Sequence, residues 1–172
     1  MTEQAMLQMI AHNDGNARRI AHSVKVYGYA RMLGLLAGLE EERQRVLELA
    51  AIYHDVGIRP ALEKHGSAAG PLQEREGEPL ARAFLTALGA PPAAVERVAF
   101  LVGHHHSYGA IDGDDFQMLV EADFLVNCEE GEFEPAALAP IRHKYIKTTG
   151  AQAMFDHLFP PVNPPAEARE DT

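Results

Sequence analysis

The chain has 172 residues, 25 acidic against 15 basic for a formal net charge of −10, and 47% of its residues are hydrophobic. That length is enough for one domain with a substantial core, and the acidic balance argues against a broad polyanion-binding face, which needs a basic stripe, so no nucleic-acid polymer is expected as partner. The single cysteine, Cys128, excludes an internal disulfide and reads as a small buried hydrophobe in a reducing compartment.

No apolar run reaches bilayer length, and the opening MTEQAMLQMIAHNDGN lacks the basic-then-apolar pattern of a secretion signal. A cytoplasmic protein without membrane association is expected. Sustained period-two alternation is missing, whereas three- and four-residue spacing recurs, so the fold class is all-α.

From about 17 to 36, Arg18, His22, Val26, Tyr29 and Leu33 fall on one helical face. His22 thus lies in an apolar stripe, with Arg18 one turn earlier on the same side. A second helix runs from about 41 to 56, its acidic first turn suited to the positive end of the helix dipole. Leu47, Ala50, Ala51 and His54 share a face, Gly57 stops the helix and Pro60 opposes an early restart. Asp55 then stands in a last turn, where the dipole disfavours an anion, so the placement calls for a compensating cation.

Residues 59–78, rich in Gly, Pro and charge, are expected to form a long irregular connection of the kind that serves as a lid. A short helix is expected over 79–88, and Pro91-Pro92 open another with Val95, Val98, Leu101 and Val102 buried and His104, His105 and His106 at its end. A helix over about 115–128 turns Leu119, Ala122 and Val126 inward with Asp123 on their edge. Another follows Pro135. The last begins at Thr149, where Thr149 and Gln152 have capping-box spacing. The end, PPVNPPAEAREDT, carries four prolines and no apolar payload, so 1–159 is expected to fold and 160–172 to be a disordered tail.

Taken singly, His22 reads as a core histidine, His54-Asp55 as a helix-ending polar pair, and Asp123 as a cap or an arginine partner. Buried unpaired, such groups cost several kcal/mol each, roughly 2–7 kcal/mol for a neutral polar group alone. As ligands of one divalent cation they make chemical sense together. Mixed imidazole and carboxylate donors suit Fe, Mn, Co, Ni or Zn and disfavour calcium, which prefers oxygen alone.

The order His…His-Asp…Asp, set in LAAIYHDVGI, LVGHHHS and LVEADFLVN, resembles the HD-domain superfamily of metal-dependent phosphohydrolases over roughly residues 15 to 130. The resemblance implies a compact helical bundle of about seven helices around a metal held by His22, His54, Asp55 and Asp123. It implies hydrolysis of a small phosphate ester, a nucleotide among the candidates, by water that the metal activates and Asp55 orients. A second ion would use part of the triple histidine, His104 and His105, with Glu76 standing where the family more often has a histidine.

Substrate anchoring needs a cation, and Arg18 is the first candidate, because a guanidinium grips phosphate bidentately. Lys64, Lys144 and Lys147 read as solvated charges, His65 as loop polarity or a substrate contact, and the TTG turn as a cap or an anion cradle. Two rival readings stand beside hydrolysis: an HD-type di-iron oxygenase, and a non-catalytic module that binds a nucleotide or a partner.

Overall fold

A computed structural model describes residues 1–160, and the expected tail lies almost wholly outside them. Among the described residues there are nine α-helices, one short 3-10 turn and no strand. In chain order the helices are α1 Thr2–His12, α2 Ala17–Ala37, α3 Glu41–Tyr53, α4 Ile58–His65, α5 Gly70–Ala87, α6 Pro92–Val102, α7 Asp114–Glu129, α8 Pro135–Lys144 and α9 Thr149–Leu158. The 3-10 turn, Tyr108–Ala110, lies between α6 and α7. No described helix is long and apolar enough to cross a membrane.

The all-α expectation holds, with nine helices among the described residues where about seven were expected. The connection expected over 59–78 is instead α4, a short link at 66–69, and the first half of α5. Pro60 does not prevent α4. It is that helix's third residue, and a proline in the first turn lacks an N–H that had no helical partner anyway. Pro79 does not open a helix either. It sits inside α5, on the solvent side. The amphipathic α1 is the other addition, burying Ala5 and Met9 against α3.

α3 and α7 form the centre of the bundle, because their sequences are apolar nearly all round. In α3 every residue from Val46 to Tyr53 is buried, and in α7 every residue from Met118 to Val126. α2 packs across both, α6 closes the side of α3, α5 lies on α6, and α9 lies on α7 and α2. The first turns of α2, the turns that leave α3 and α6, and the middle of α7 meet in one place, and that is where the chemistry-bearing side chains collect.

Candidate metal centre

Local sequence sets up each arm of the site. Asn16 caps α2, its side-chain oxygen accepting from Arg19 N at 3.0 Å, which fixes the turn that leads to His22. His54 and Asp55 lie in a tight turn leaving α3, closed by Val56 N donating to Tyr53 O at 3.0 Å and Ile58 N to Asp55 O at 3.1 Å. Gly57 completes this turn with an ordinary helical φ of −73°, so conformational freedom is not its reason. A Cβ there would stand 2.0 Å from Gln73 O and 2.7 Å from Gly77 N, so the glycine lets the backbone of α5 pass close to the site.

Four side chains from three segments converge. His22 Nε2 lies 3.3 Å from His54 Nε2, 3.2 Å from Asp123 Oδ1 and 3.6 Å from Asp55 Oδ2. His54 Nε2 lies 3.4 Å from Asp55 Oδ2 and 3.6 Å from Asp123 Oδ1. Donors ~2.1 Å from a shared ion sit roughly 3.0–3.4 Å apart at octahedral to tetrahedral angles, so the set is already close to ligand spacing. All four are largely withdrawn from solvent, their side chains 1–14% exposed.

The ring tautomers agree with that use. His22 Nδ1–H donates to Glu130 Oε2 at 3.1 Å, and His54 Nδ1–H to Ala51 O at 2.9 Å. In the neutral tautomer each ring then turns an Nε2 lone pair into the cavity, where two more acceptors wait. Burial presses hardest against charge on these groups. The carboxylates nonetheless hold both imidazoles above the ordinary histidine pKa, His22 through Asp123 and Asp55, His54 through Asp55 and Asp123. The imidazoles in turn overcome burial to hold the carboxylates below their ordinary range, Asp55 through His54 and His105, Asp123 through His22 and His54. Facing lone pairs and carboxylates demand positive charge, and a divalent ion satisfies that demand with fewer particles than a set of protons.

A second group shares Asp55. His105 Nδ1–H donates to Val102 O at 2.8 Å, leaving a buried Nε2 with no hydrogen-bond partner, 3.7 Å from Asp55 Oδ1. His106 joins them, with donor atoms of Asp55, His105 and His106 all within 4.8 Å of one another. Burial, then the neighbouring His105, push the His106 pKa down to about 4, which keeps its ring neutral.

Three of the residues expected to serve a second ion or the substrate are placed differently. His104 is not in the group: its Nδ1–H donates to Phe100 O at 2.8 Å and its ring stacks on Phe100 with centroids 4.3 Å apart. The reason is register, since α6 ends at Val102 and a residue two beyond turns back along the helix, while 105 and 106 cross toward Asp55. Glu76 is committed to Lys64 and, at 2.9 Å, to His65; those partners outweigh burial and lower its pKa to about 2. Arg18 stands 72% exposed on the rim, its guanidinium on Glu132.

Cys128 is buried and its thiol pushed up to about 11 by that burial, which leaves it inert. The TTG turn does receive an anion, but from within the chain: Glu121 accepts from Lys147 N and Thr148 N. Sequence reasoning named His106 within the triple histidine but chose His104 and His105, and it missed Arg19 as well as Glu130 behind His22. Of those two only Arg19 had a visible signal, its spacing of three residues from His22.

The cluster opens into a cavity of about 270 Å³ lined by Asn16, Arg18, Arg19, His22, Asp55, Ile58, Asn127, Glu130 and Glu132. A larger cavity, about 560 Å³, lies elsewhere, between α3, α6 and the start of α7, where Arg97 is already paired with Asp112 and Asp115.

An all-helical bundle thus gathers paired imidazoles and carboxylates into two groups that could each hold a metal ion. Residues 19–141 match the HD domain, most of the chain and all four converging ligands, and the chain belongs to that family. Comparison with curated proteins and with solved structures returned no match.

Proposed function

We propose that this protein is a metal-dependent phosphohydrolase that acts on a small phosphate ester, with a nucleotide among the candidate substrates. The convergence of His22, His54, Asp55 and Asp123, donors 3.2–3.6 Å apart with their ring protons turned outward, carries the reading. A divalent transition ion held there, Fe, Mn, Co, Ni or Zn, would polarise a phosphoryl oxygen and acidify a water in its shell.

The chain's own groups do the rest. Asp55 has one oxygen beside His54 and the other toward His105, which supports a role in orienting the attacking water and in serving a second ion beside His105 and His106. Asn127 donates to Asp123 Oδ1 at 2.8 Å, holding that carboxylate in register. Asn16 and Asn127 line the cavity with neutral amides suited to a polar ester. A polymer has no basic track to follow on a chain of net charge −10, so the substrate is small. The cytoplasm, with its pool of phosphate esters, is the proposed compartment.

The shared Asp55 also suits two irons, which keeps an oxygen-activating enzyme as a second reading. The charged rim of Arg18, Glu130 and Glu132 favours hydrolysis over it, since oxygen activation needs a site shielded from water. The deciding experiment is a panel of phosphomonoesters and phosphodiesters against chelator-treated protein reloaded with Mn²⁺, Co²⁺, Ni²⁺, Fe²⁺ or Mg²⁺. Turnover restored by a transition ion is expected. No turnover with any ion, together with a mixed-valence iron signal in anaerobically purified protein, would replace hydrolysis with the second reading. Stoichiometric nucleotide binding without turnover would make the protein a binding module.

A further inference from the structure

A phosphoryl group in this cavity needs a cation from the protein, and nearly every cation nearby is already engaged. Lys25 Nζ sits 2.8 Å from Glu129 and 3.0 Å from Glu130. Arg18 is on Glu132, Lys64 on Glu76, and Arg59 holds Glu63 at 2.9 Å. Arg19 differs from all of them. Its guanidinium makes no ion pair and no hydrogen bond among the described residues, although it is half-buried and lines the same cavity as His22 and Asp55.

The local sequence explains how it comes to be there. Residues 18 and 19 stand four and three positions before His22, and both spacings put a side chain beside it on a helix. Glu132 takes the first outward. The Asn16 cap accepts from the backbone N–H of Arg19, which sets the turn and presents the second toward the cavity. Burial of Arg19 weakens its hold on its proton, and Asp55 is the group that partly restores it, which places the guanidinium within the field of a metal-centre carboxylate. A half-buried guanidinium without a partner among the described residues, lining the same cavity as Asp55 but not bonded to it, is the state a bidentate oxyanion would satisfy.

We propose that Arg19 is the residue that grips the phosphoryl group of the substrate, with Arg18 held off by Glu132. This rests on the phosphohydrolase reading. The five N–H donors of Arg19 would hold non-bridging oxygens, while Asn16 and Asn127 line the remaining wall.

The test is calorimetric titration of inorganic phosphate into the full chain loaded with Mn²⁺, on wild type, Arg19→Ala, Arg19→Lys and Arg18→Ala, each checked for metal content and thermal melting. Arg19→Ala is expected to weaken phosphate binding at least tenfold with metal content and melting unchanged. Arg19→Lys, which keeps the charge but loses the fork, should fall between. Arg18→Ala should lose distinctly less than Arg19→Ala.

Unchanged phosphate affinity in a folded, metal-loaded Arg19→Ala overturns the inference and leaves the phosphohydrolase reading standing. A larger loss in Arg18→Ala than in Arg19→Ala gives the role to Arg18 and overturns it too. Wild-type protein that holds Mn²⁺ but shows no heat of phosphate binding, and hydrolyses no ester in the panel, overturns both together.

Discussion

Two buried carboxylates lie two residues apart on α7 and meet opposite fates. Glu121, fully buried, is surrounded by donors: Gln117 Nε2 at 3.0 Å, Lys147 N at 2.5 Å, Thr148 N at 2.7 Å and Thr148 Oγ1 at 2.6 Å. Asp123, on the other side of the helix, receives one amide donor, from Asn127, and otherwise faces the Nε2 atoms of His22 and His54 and comes close to Asp55. This chain can satisfy a buried anion completely with its own atoms, and at Glu121 it does. At Asp123 it instead gathers further acceptors. The difference separates a carboxylate satisfied by the chain itself from one left open to an ion, and under the proposed function it predicts opposite behaviour on substitution.

The largest effect is expected at the ligand end. Asp123→Ala or Asp55→Ala should bring metal content well below one ion per chain and reduce kcat/KM by at least about a thousandfold, which is about 4 kcal/mol of transition-state stabilisation. Elemental analysis and kinetics with the preferred ester measure both. Chelation of wild type should mimic the substitution and lower its melting temperature, since an ion at a hundred times its Kd adds about 2.7 kcal/mol to the folded state. Full metal content in Asp55→Ala would remove it from the ligand set.

Glu121→Ala should do the reverse. Four donors lose their acceptor inside the protein, which costs on the order of 3 kcal/mol, or a fall in melting temperature of roughly 6–12 °C for a chain of this size. Metal per folded molecule should stay at the wild-type level. If Glu121→Ala strips metal as thoroughly as Asp123→Ala, the two carboxylates are not separate devices and the contrast fails.

How much of this was legible in the sequence follows the same divide. The converging side chains were, because His22 and His54 stand on apolar helical faces, Asp55 follows in a last turn, Asp123 lies on the edge of a buried face, and their order resembles that of the HD family. The partners that complete them were not. Glu130 is 108 residues from His22, and nothing local marks it as the acceptor behind that ring. His104, His105 and His106 are identical as letters, and only the point at which α6 ends decides which two turn toward Asp55. Gly57 read as a helix stop, whereas its use is to admit the α5 backbone, a contact between segments that periodicity cannot report. Prolines misled twice, at 60 and 79, because their cost depends on position within a helix.

The hidden partner of His22 gives a smaller, sharper test. Glu130 accepts from His22 Nδ1 and is itself steadied by Lys25 at 3.0 Å, so it is a positioning residue that fixes the ring's tautomer and raises its basicity. Glu130→Ala should weaken metal binding about 10–100-fold, and Glu130→Gln, which keeps an acceptor without the charge, should recover part of that. Competition against a coloured chelator reads the affinity directly. An unchanged affinity in Glu130→Ala would mean that His22 is oriented by packing alone.

The smallest effect is expected where the sequence pointed one residue too far. Capping-box spacing selected Thr149, but α9 begins there as a helical residue, and Thr148 is the cap, its hydroxyl oxygen accepting from Ala151 N at 3.3 Å. That same hydroxyl donates to Glu121 Oε2, so Thr148 joins the cap of one helix to the buried acid of another. Loss of a cap of this type costs about 1 kcal/mol, with a measured range of about 0.5–2 kcal/mol. Thr148→Ala should fall toward the upper end of that range, because it also removes one donor from a carboxylate that has no solvent to replace it, whereas Thr149→Ala should change stability by less than about 0.5 kcal/mol. In Glu121→Ala the same Thr148 substitution should cost less than in wild type, since only the cap remains to be lost, and the two residues should therefore be non-additive by about 0.5 kcal/mol or more in a double-mutant cycle. Strict additivity would show that Thr148 serves α9 alone, and that the buried acid is held by backbone donors without it.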